Sequence, residues 1–358
     1  MAGPSLWVGL DVGADETTIC ATDDSGAVVF ELPVASRPAA LHAVMKGDKR
    51  RIRCVGLESG AFGLVLCRSL LQRGYPVAMF EARQASRFLS IRKNKTDKND
   101  ARGLADIARL GRGSVSEVRV KAPECQRLRS LLVTRQKLVQ LRAALEGNMR
   151  SLFRLNGGKL KRSYSTAGLR RNVHEELRRL RRSEKIDLSA EVQPLLALST
   201  AMRGYIEDLD ERLKKRAAKD PVCQRFLEIP GVGAITALAF YSAVDDPHRF
   251  RRNSDIGAYL GLVPRVRQSG QSLSRTRISK NGDKLTRTYL TSAAQHHLRT
   301  GQSSLALWGA ALAERLGKPG VHVALARKLA VVMLAIWKSG EDYHPYYAHQ
   351  LHGANDGC

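Results

Sequence analysis

The sequence, 358 residues long, is poor in cysteine pattern, in long apolar runs and in negative charge. Its six cysteines (Cys20, Cys54, Cys67, Cys125, Cys223, Cys358) are scattered, with no CxxC spacing. Disulfide frameworks and zinc sites need clustered or regularly recurring cysteines, so buried reduced thiols are expected instead. No unbroken apolar run is long enough to cross a bilayer. The best candidate, residues 321–337, carries Arg327 and Lys328 in its middle, where charge is costly in lipid. The chain opens straight into an apolar strand without a basic segment or cleavage site, so no signal peptide is expected. Asp and Glu number 34 against 59 Lys and Arg, a formal net charge of +25. A surplus of that size implies a polyanionic partner. Nucleic acid ranks above membrane, because no basic amphipathic anchor or lipidation motif is present. A cytoplasmic, nucleoid-associated protein with no membrane partner is the expectation.

What is present is enough apolar sequence, 43%, for sizeable cores in two or three domains. The first stretch alternates as a mixed sheet. An apolar strand at 6–12 precedes strands at 17–22 and 27–34, which flank the turn Asp23-Asp24-Ser25-Gly26. A helix at 38–46, a strand at 52–57, a helix at 62–73, a strand at 77–81 and helical sequence through 97–110 follow. Three meandering strands and then alternating helix and strand is the order of the ribonuclease H-like fold. From Cys125 the pattern becomes helical: Leu128, Leu131, Leu132, Leu138, Leu141, Leu145, Met149 and Leu152 recur every three or four residues. A second such run takes in Leu195, Leu198, Met202, Ile206, Leu209 and Leu213. Between them lie Lys161-Arg162, Arg170-Arg171, Arg178-Arg179 and Arg181-Arg182, so an antiparallel coiled-coil arm with a basic connection is expected. Ile229-Pro230-Gly231-Val232-Gly233 resembles the turn of a helix-hairpin-helix element, in which Gly231 and Gly233 let backbone N–H groups approach a phosphate. A plain helix–turn–helix connection would read the same way. The expected architecture is thus an α/β ribonuclease H-like (RuvC-like) domain at 1–122, a helical coiled-coil arm at 123–220 and a mostly α C-terminal domain at 221–342. A tail at 343–358 has no readable fold.

Chemistry concentrates at two places. Asp11 ends an apolar strand and Glu58 ends another, while Asp97 and Asp100, three apart, share one face of a helix. Four carboxylates at one point repel unless divalent cations neutralise them, and Mg²⁺ suits a few carboxylates plus phosphate oxygens. Singly, Asp97 or Asp100 would read as a helix cap and Glu58 as the start of a loop. Asp11 resists such a reading, because a carboxylate closing an apolar strand is expensive without a partner. The second place is Ser269, a serine beside glycine in a loop, surrounded by Arg265, Arg267, Arg275, Arg277 and Lys280, which can hold a phosphate. By spacing alone Ser272, Ser274 and Ser279 compete with it, and no His/Asp relay accompanies it.

Gly9-Leu10-Asp11-Val12-Gly13, Glu58 and Lys95-Thr96-Asp97-Lys98-Asn99-Asp100-Ala101 together resemble the DEDD domain of a bacterial transposase family, insertion-sequence family one-ten, whose members are bridge-RNA-guided DNA recombinases. Downstream, Ile229-Pro230-Gly231-Val232-Gly233, Asp246-Pro247-His248-Arg249-Phe250, Ala258-Tyr259-Leu260-Gly261-Leu262-Val263-Pro264, Ser269-Gly270 and Ile278-Ser279-Lys280-Asn281-Gly282-Asp283 are similar to that family's serine-bearing domain. The resemblance implies that Asp11, Glu58, Asp97 and Asp100 bind Mg²⁺, and that Ser269 attacks the scissile phosphodiester to form a covalent phosphoserine–DNA intermediate. It also implies a non-coding guide (bridge) RNA that pairs with double-stranded donor and target DNA. Dimers assembling to tetramers are implied too, with domains of different subunits meeting at one active site. Arg170, Arg171, Arg178 and Arg179 on the arm are then candidates for RNA holding. The alternatives are a RuvC-type junction endonuclease using metal-activated water, an actin-like kinase suggested by Asp11-Val12-Gly13 with Asp24-Ser25-Gly26, and a non-enzymatic scaffold.

Overall fold

The computed structural model describes residues 5–91, 94–111, 113–269, 272–300 and 303–346, with side chains described outside 266–277 and 316–319. The chain forms two compact units, meeting in sequence between Lys121 and Ala122.

The first unit is built on one mixed sheet. Strands β1 (Leu6–Val12), β2 (Glu16–Thr22) and β3 (Val28–Ala35) form an antiparallel meander. Helix α1 (Pro38–Met45) leads to β4 (Ile52–Glu58), and α2 (Gly63–Gln72) leads to β5 (Val77–Phe80). Both β4 and β5 run parallel to β1, giving the order β3-β2-β1-β4-β5. This is the strand order expected for the ribonuclease H-like fold. Alternation along β1 and β4 sorts side chains to opposite faces. Leu6, Val8, Leu10, Val55 and Leu57 pack with Leu41, Met45, Leu66 and Leu70 of α1 and α2. The other face carries Cys54, Ala78 and Phe80, covered by Ala85 of α3 (Ala82–Leu89) and Leu104 of α4 (Asp97–Asp106). Helix α3 was not foreseen from the sequence. It is capped by Glu81, whose carboxylate accepts from Gln84 N–H at 3.0 Å. Helix α4 does not run regularly to residue 110 as expected, but widens into a π-turn at Ile107–Gly111.

The second unit begins with α5 (Pro123–Leu155), followed by α6 (Thr166–Ser183) and α7 (Ser189–Ala218). Leu128 and Leu132 share a core with Leu213 and Ala217, while Met149 and Phe153 share another with Val192 and Leu196. These pairings make α5 and α7 antiparallel. The expected basic connection is itself largely helical, because Leu169, Val173, Leu177 and Leu180 bury one stripe of α6 at i, i+4, i+8 and i+11. Helices α8 (Pro221–Leu227), α9 (Ala234–Val244) and α10 (Asp255–Tyr259) follow. An antiparallel hairpin of β6 (Pro264–Ser269) and β7 (Ser272–Ile278) precedes α11 (Lys284–Thr300) and α12 (Ser304–Ser339). Leu325, Ala326, Leu329, Ala330, Met333 and Leu334 place α12 in the core that also holds Leu128, Leu132, Phe226 and Phe240. Among the described residues, Gly320–Ser339 is the one helix segment long and apolar enough to cross a membrane, and its window is mostly buried inside the unit. Five of the cysteines are buried and are joined by no disulfide among the described residues; Cys358 and the end of the expected tail lie outside the described residues.

Candidate active site

Asp11 and Glu58 are placed by strand register. Gly9 pairs with Gly56 and Leu10 with Leu57 across the parallel β1–β4 ladder, so the next residues, Asp11 and Glu58, lie at the same end of the two strands. Period-two alternation puts both on the face of Gly9 and Gly56, opposite Leu10 and Leu57. That face is where α4 lies. A Cβ at Gly9 would overlap the Ala101 carbonyl oxygen and crowd Ala105 N. One at Gly56 would stand 2.9 Å from Leu104 O and 2.7 Å from a Phe80 ring carbon. Two paired glycines therefore form a flat seat that lets the α4 backbone settle directly on the strands. Thr96 caps the helix by accepting from Asn99 N–H at 3.2 Å, which puts Asp97 and Asp100 in the first turn. Negative charge is favoured there by the exposed N–H groups.

The result is a like-charged cluster. Burial, reinforced by the charges of Asp100, Asp97 and Glu58, raises the Asp11 carboxyl to about 6, against a small opposing effect of Lys95. Glu58 is raised by burial and then by Asp100, with Lys95 again opposing and Glu81 adding to the rise. Asp97, Asp100 and Glu58 thus all act on Asp11, and Asp100 acts on Glu58 as well. Lys95 and Glu81 are members of the same field that sequence reading passed over. Lys95 was visible within the motif Lys95-Thr96-Asp97, whereas Glu81 joins only because β5 lies beside β4. The donor set, oxygen-only and anionic, fits a hard divalent cation. Among the described residues, no three His, Cys, Asp or Glu side chains yet converge as a ready metal cage. The carboxylates share a field without being drawn to one point.

In the second unit, Ser269 is the last residue of β6, paired with Ser272 of β7 across residues 270–271, which lie outside the described residues. It therefore ends a strand at a hairpin tip, where a loop was expected. The side chains of Ser269, Arg267, Arg275 and Arg277 lie outside the description. Arg265 is exposed, and its guanidinium donates to Ser279 O at 3.0 Å, bracing the base of the hairpin. Lys280 is exposed on a left-handed backbone, φ +55°, held by its N–H to Gly261 O at 3.2 Å.

The glycine turn between α8 and α9 divides. Gly231, at φ +87°, is packed against α11: a Cβ there would meet Ala293 O at 2.6 Å and His297 N at 3.0 Å. The missing side chain makes room for the α11 backbone. Gly233 is exposed, with nothing near its Cβ direction, at the start of α9. His297, unmarked by any sequence signal, locks this turn. It is buried, with Nδ1 2.7 Å from Pro230 O and Nε2 2.7 Å from Ser303 Oγ, and Ser303 in turn accepts from Ala306 N–H to cap α12.

On α6, Arg170, Arg171, Arg178 and Arg179 all reach solvent. Arg178 donates to the carbonyl of its own helix at His174. Arg179 is spent on Glu176 at 3.0 Å and on Gly157 O at 2.8 Å. Arg170 and Arg171 have no ion-pair partner among the described residues.

A mixed sheet with carboxylates near the ends of two neighbouring strands and two more on the helix seated across them is consistent with a DEDD nuclease-like domain. Comparison with known proteins agrees. Residues 8–155 match a transposase family of the DEDD type found in IS110 elements, and residues 223–308 match the transposase IS116/IS110/IS902 family. The chain is 32% identical over 343 residues to the transposase for insertion sequence element IS1111A of Coxiella burnetii, covering 94% of this chain and 90% of that one. It is 28% identical to the transposase for insertion sequence element IS1328 of Yersinia enterocolitica, covering 80% and 84% respectively. A putative transposase of Sinorhizobium fredii is 27% identical over 89% of this chain and 81% of its own length. The chain belongs to the IS110 family of insertion-sequence transposases.

Proposed function

We propose that this transposase is an RNA-guided DNA recombinase that exchanges strands through a covalent phosphoserine. The observation that carries the reading is the shared field of Asp11, Glu58, Asp97 and Asp100, four carboxylates with one weakly opposing lysine. A cluster so costly in isolation is suited to a polyanionic substrate and its cations. Asp11, Glu58, Asp97 and Asp100 would hold Mg²⁺, which supplies charge neutralisation and Lewis-acid polarisation of the scissile phosphate.

Ser269 Oγ attacks the phosphorus. The Oγ–P bond forms as the bond to the leaving sugar oxygen breaks, the serine proton is lost, and the departing oxygen takes a proton. Attack by the hydroxyl of the incoming strand reverses the step, so phosphodiester bond energy is kept. The flanking cations Arg265 and Lys280, with Arg267, Arg275 and Arg277, suit them to the phosphate. Guide RNA pairing would supply sequence choice, leaving the protein to recognise backbone and shape, in keeping with the net charge of +25. Assembly as dimers and tetramers belongs to the same proposal.

The test is a suicide DNA substrate incubated with wild-type and Ser269→Ala protein. The wild type is expected to leave a denaturation-resistant protein–DNA adduct, and the variant none, with RNA binding unchanged. Cleavage by Ser269→Ala with free ends would favour a nuclease that uses metal-activated water. Normal recombination by it would overturn the serine mechanism.

A further inference from the structure

The end of the α5–α7 pair that carries the C-terminus of α5 has two features that point to the same ligand. The first is a cavity of about 220 Å³ lined by Arg150, Arg154, Gly158, Lys159 and Leu160. That is smaller than the roughly 300–1,000 Å³ of a typical small-molecule site, and suits a single charged group. Three of these five residues, Arg150, Arg154 and Lys159, are cationic. Glu176, which reaches the same turn, is spent on Lys159 N–H at 2.7 Å and on Arg179. Like charges gathered this way repel, and a bound anion relieves the repulsion.

The second feature is Tyr164, which is fully exposed. A lone surface aromatic has no special meaning, but this one is held out by a buried node. Arg203, 4% exposed, donates to the carbonyl oxygens of Tyr164 at 2.6 Å and Ser163 at 3.0 Å. Its charge is met by Glu146 at 2.8 Å, and Ser199 donates to the same carboxylate. A buried ion pair thus fixes the backbone that presents the ring. Five residues of chain link Lys159 to Tyr164, so their Cα atoms are at most about 18 Å apart. Lys161 and Arg162 lie exposed between them.

A small cationic seat and a rigidly presented aromatic face on one short stretch of chain are the chemistry that holds an unpaired strand, a phosphate in the seat and a base on the ring. We infer that residues 150–164 form a binding site for single-stranded nucleic acid, distinct from the carboxylate cluster and the serine hairpin. The inference rests on the reading above only in taking nucleic acid as the protein's partner. Pre-fixing the ring lowers the ordering cost of binding, which is the role the Arg203–Glu146 node plays here.

The test is equilibrium binding of the intact protein, without divalent cation, to a labelled unpaired oligonucleotide of about twelve residues, within the ~4–16-nucleotide footprints of such sites. RNA, DNA and duplex versions of one sequence are compared. Tyr164→Ala is expected to weaken single-strand binding about tenfold, with Tyr164→Phe close to wild type and the duplex unaffected. Arg150→Gln with Arg154→Gln should flatten the dependence of log affinity on log salt by about 1.4, at ~0.7 per lost phosphate contact. A larger loss on RNA than on DNA assigns the site to RNA, and an equal loss assigns it to either strand. Unchanged single-strand affinity in Tyr164→Ala, or an equal loss on the duplex, overturns the inference, as does an unchanged salt slope. Thermal melting of each variant checks that the exposed substitutions leave the fold intact. Ser269→Ala should bind these oligonucleotides as wild type does, so failure here leaves the strand-transfer reading standing.

Discussion

The two units gather charge in opposite ways. In the first, Glu58, Asp97 and Asp100 act on Asp11 with Lys95 the one opposing charge among the described residues, and the Asp11 carboxyl rises to about 6. In the second, Arg203 is sunk between α5 and α7 but meets Glu146, Ser199 and two carbonyls, while Arg135 pairs with Asp210 and donates to Tyr289. Asp11, Glu58 and Asp100 are half-buried and Asp97 is exposed, whereas Arg203 is buried. Only the second arrangement neutralises its charge from within the chain. A compensated cluster fixes structure, whereas an uncompensated one stores repulsion that an external ion or substrate removes.

The contrast breaks most sharply at Asp11. Asp11→Asn should lower metal-dependent DNA processing by at least about 10³-fold, several kcal/mol of lost charge stabilisation, with DNA binding retained in a filter assay. Retained processing would mean that the cluster is not catalytic. Between α5 and α7, Arg203→Met should cost about 3 kcal/mol in urea unfolding, because Glu146 keeps only the more distant Arg142, at 3.8 Å, and Ser199, while the Ser163 and Tyr164 carbonyls lose their donor. A neutral effect there would erase the distinction between the two clusters. The seat of α4 comes next: Gly9→Ala should destabilise the first unit by about 1–3 kcal/mol, since the new methyl meets helix backbone that cannot fold away. His297→Ala should cost about 1–2 kcal/mol by freeing Pro230 O and Ser303 Oγ, and should loosen the α8–α9 turn in hydrogen exchange.

The smallest effect concerns pH. Asp11 is raised in the folded state, so the native protein holds its proton over a range where the unfolded chain, near 3.8, has lost it. Metal-free stability should therefore fall as pH rises from about 4 to about 6 and then level off. Asp11→Asn should flatten that profile, and added Mg²⁺ should restore stability above pH 6 in wild type but not in the variant. Melting temperatures across pH 4–8 read this directly.

Much of this was legible in the sequence. The alternation of Leu6, Val8 and Leu10 and the turn Asp23-Asp24-Ser25-Gly26 marked the meander, and the leucines every three or four residues marked α5 and α7. Asp11 stood out because an apolar strand has no local use for a carboxylate. Helix α3 went unread because its short stretch buries only Ala85, too little to mark a face. Helix α6 was read as a connection because its arginines outweigh four well-spaced apolar residues. Gly231 looked like a phosphate contact because a glycine that yields to a neighbouring helix and one that yields to a ligand leave the same mark.

Residue types and their spacing determined the mixed sheet, the long helices, the excess of positive charge and the candidate carboxylates and serine, since each depends on local periodicity and composition. Tertiary structure alone decided that Gly9 and Gly56 face one another and admit α4, and so which carboxylates share a field. It also decided that Arg203 is a structural cation while Arg150 and Arg154 line a cavity. Whether a charge is compensated depends on residues far along the chain, 57 positions apart for Glu146 and Arg203, and pairing at that range is set by packing.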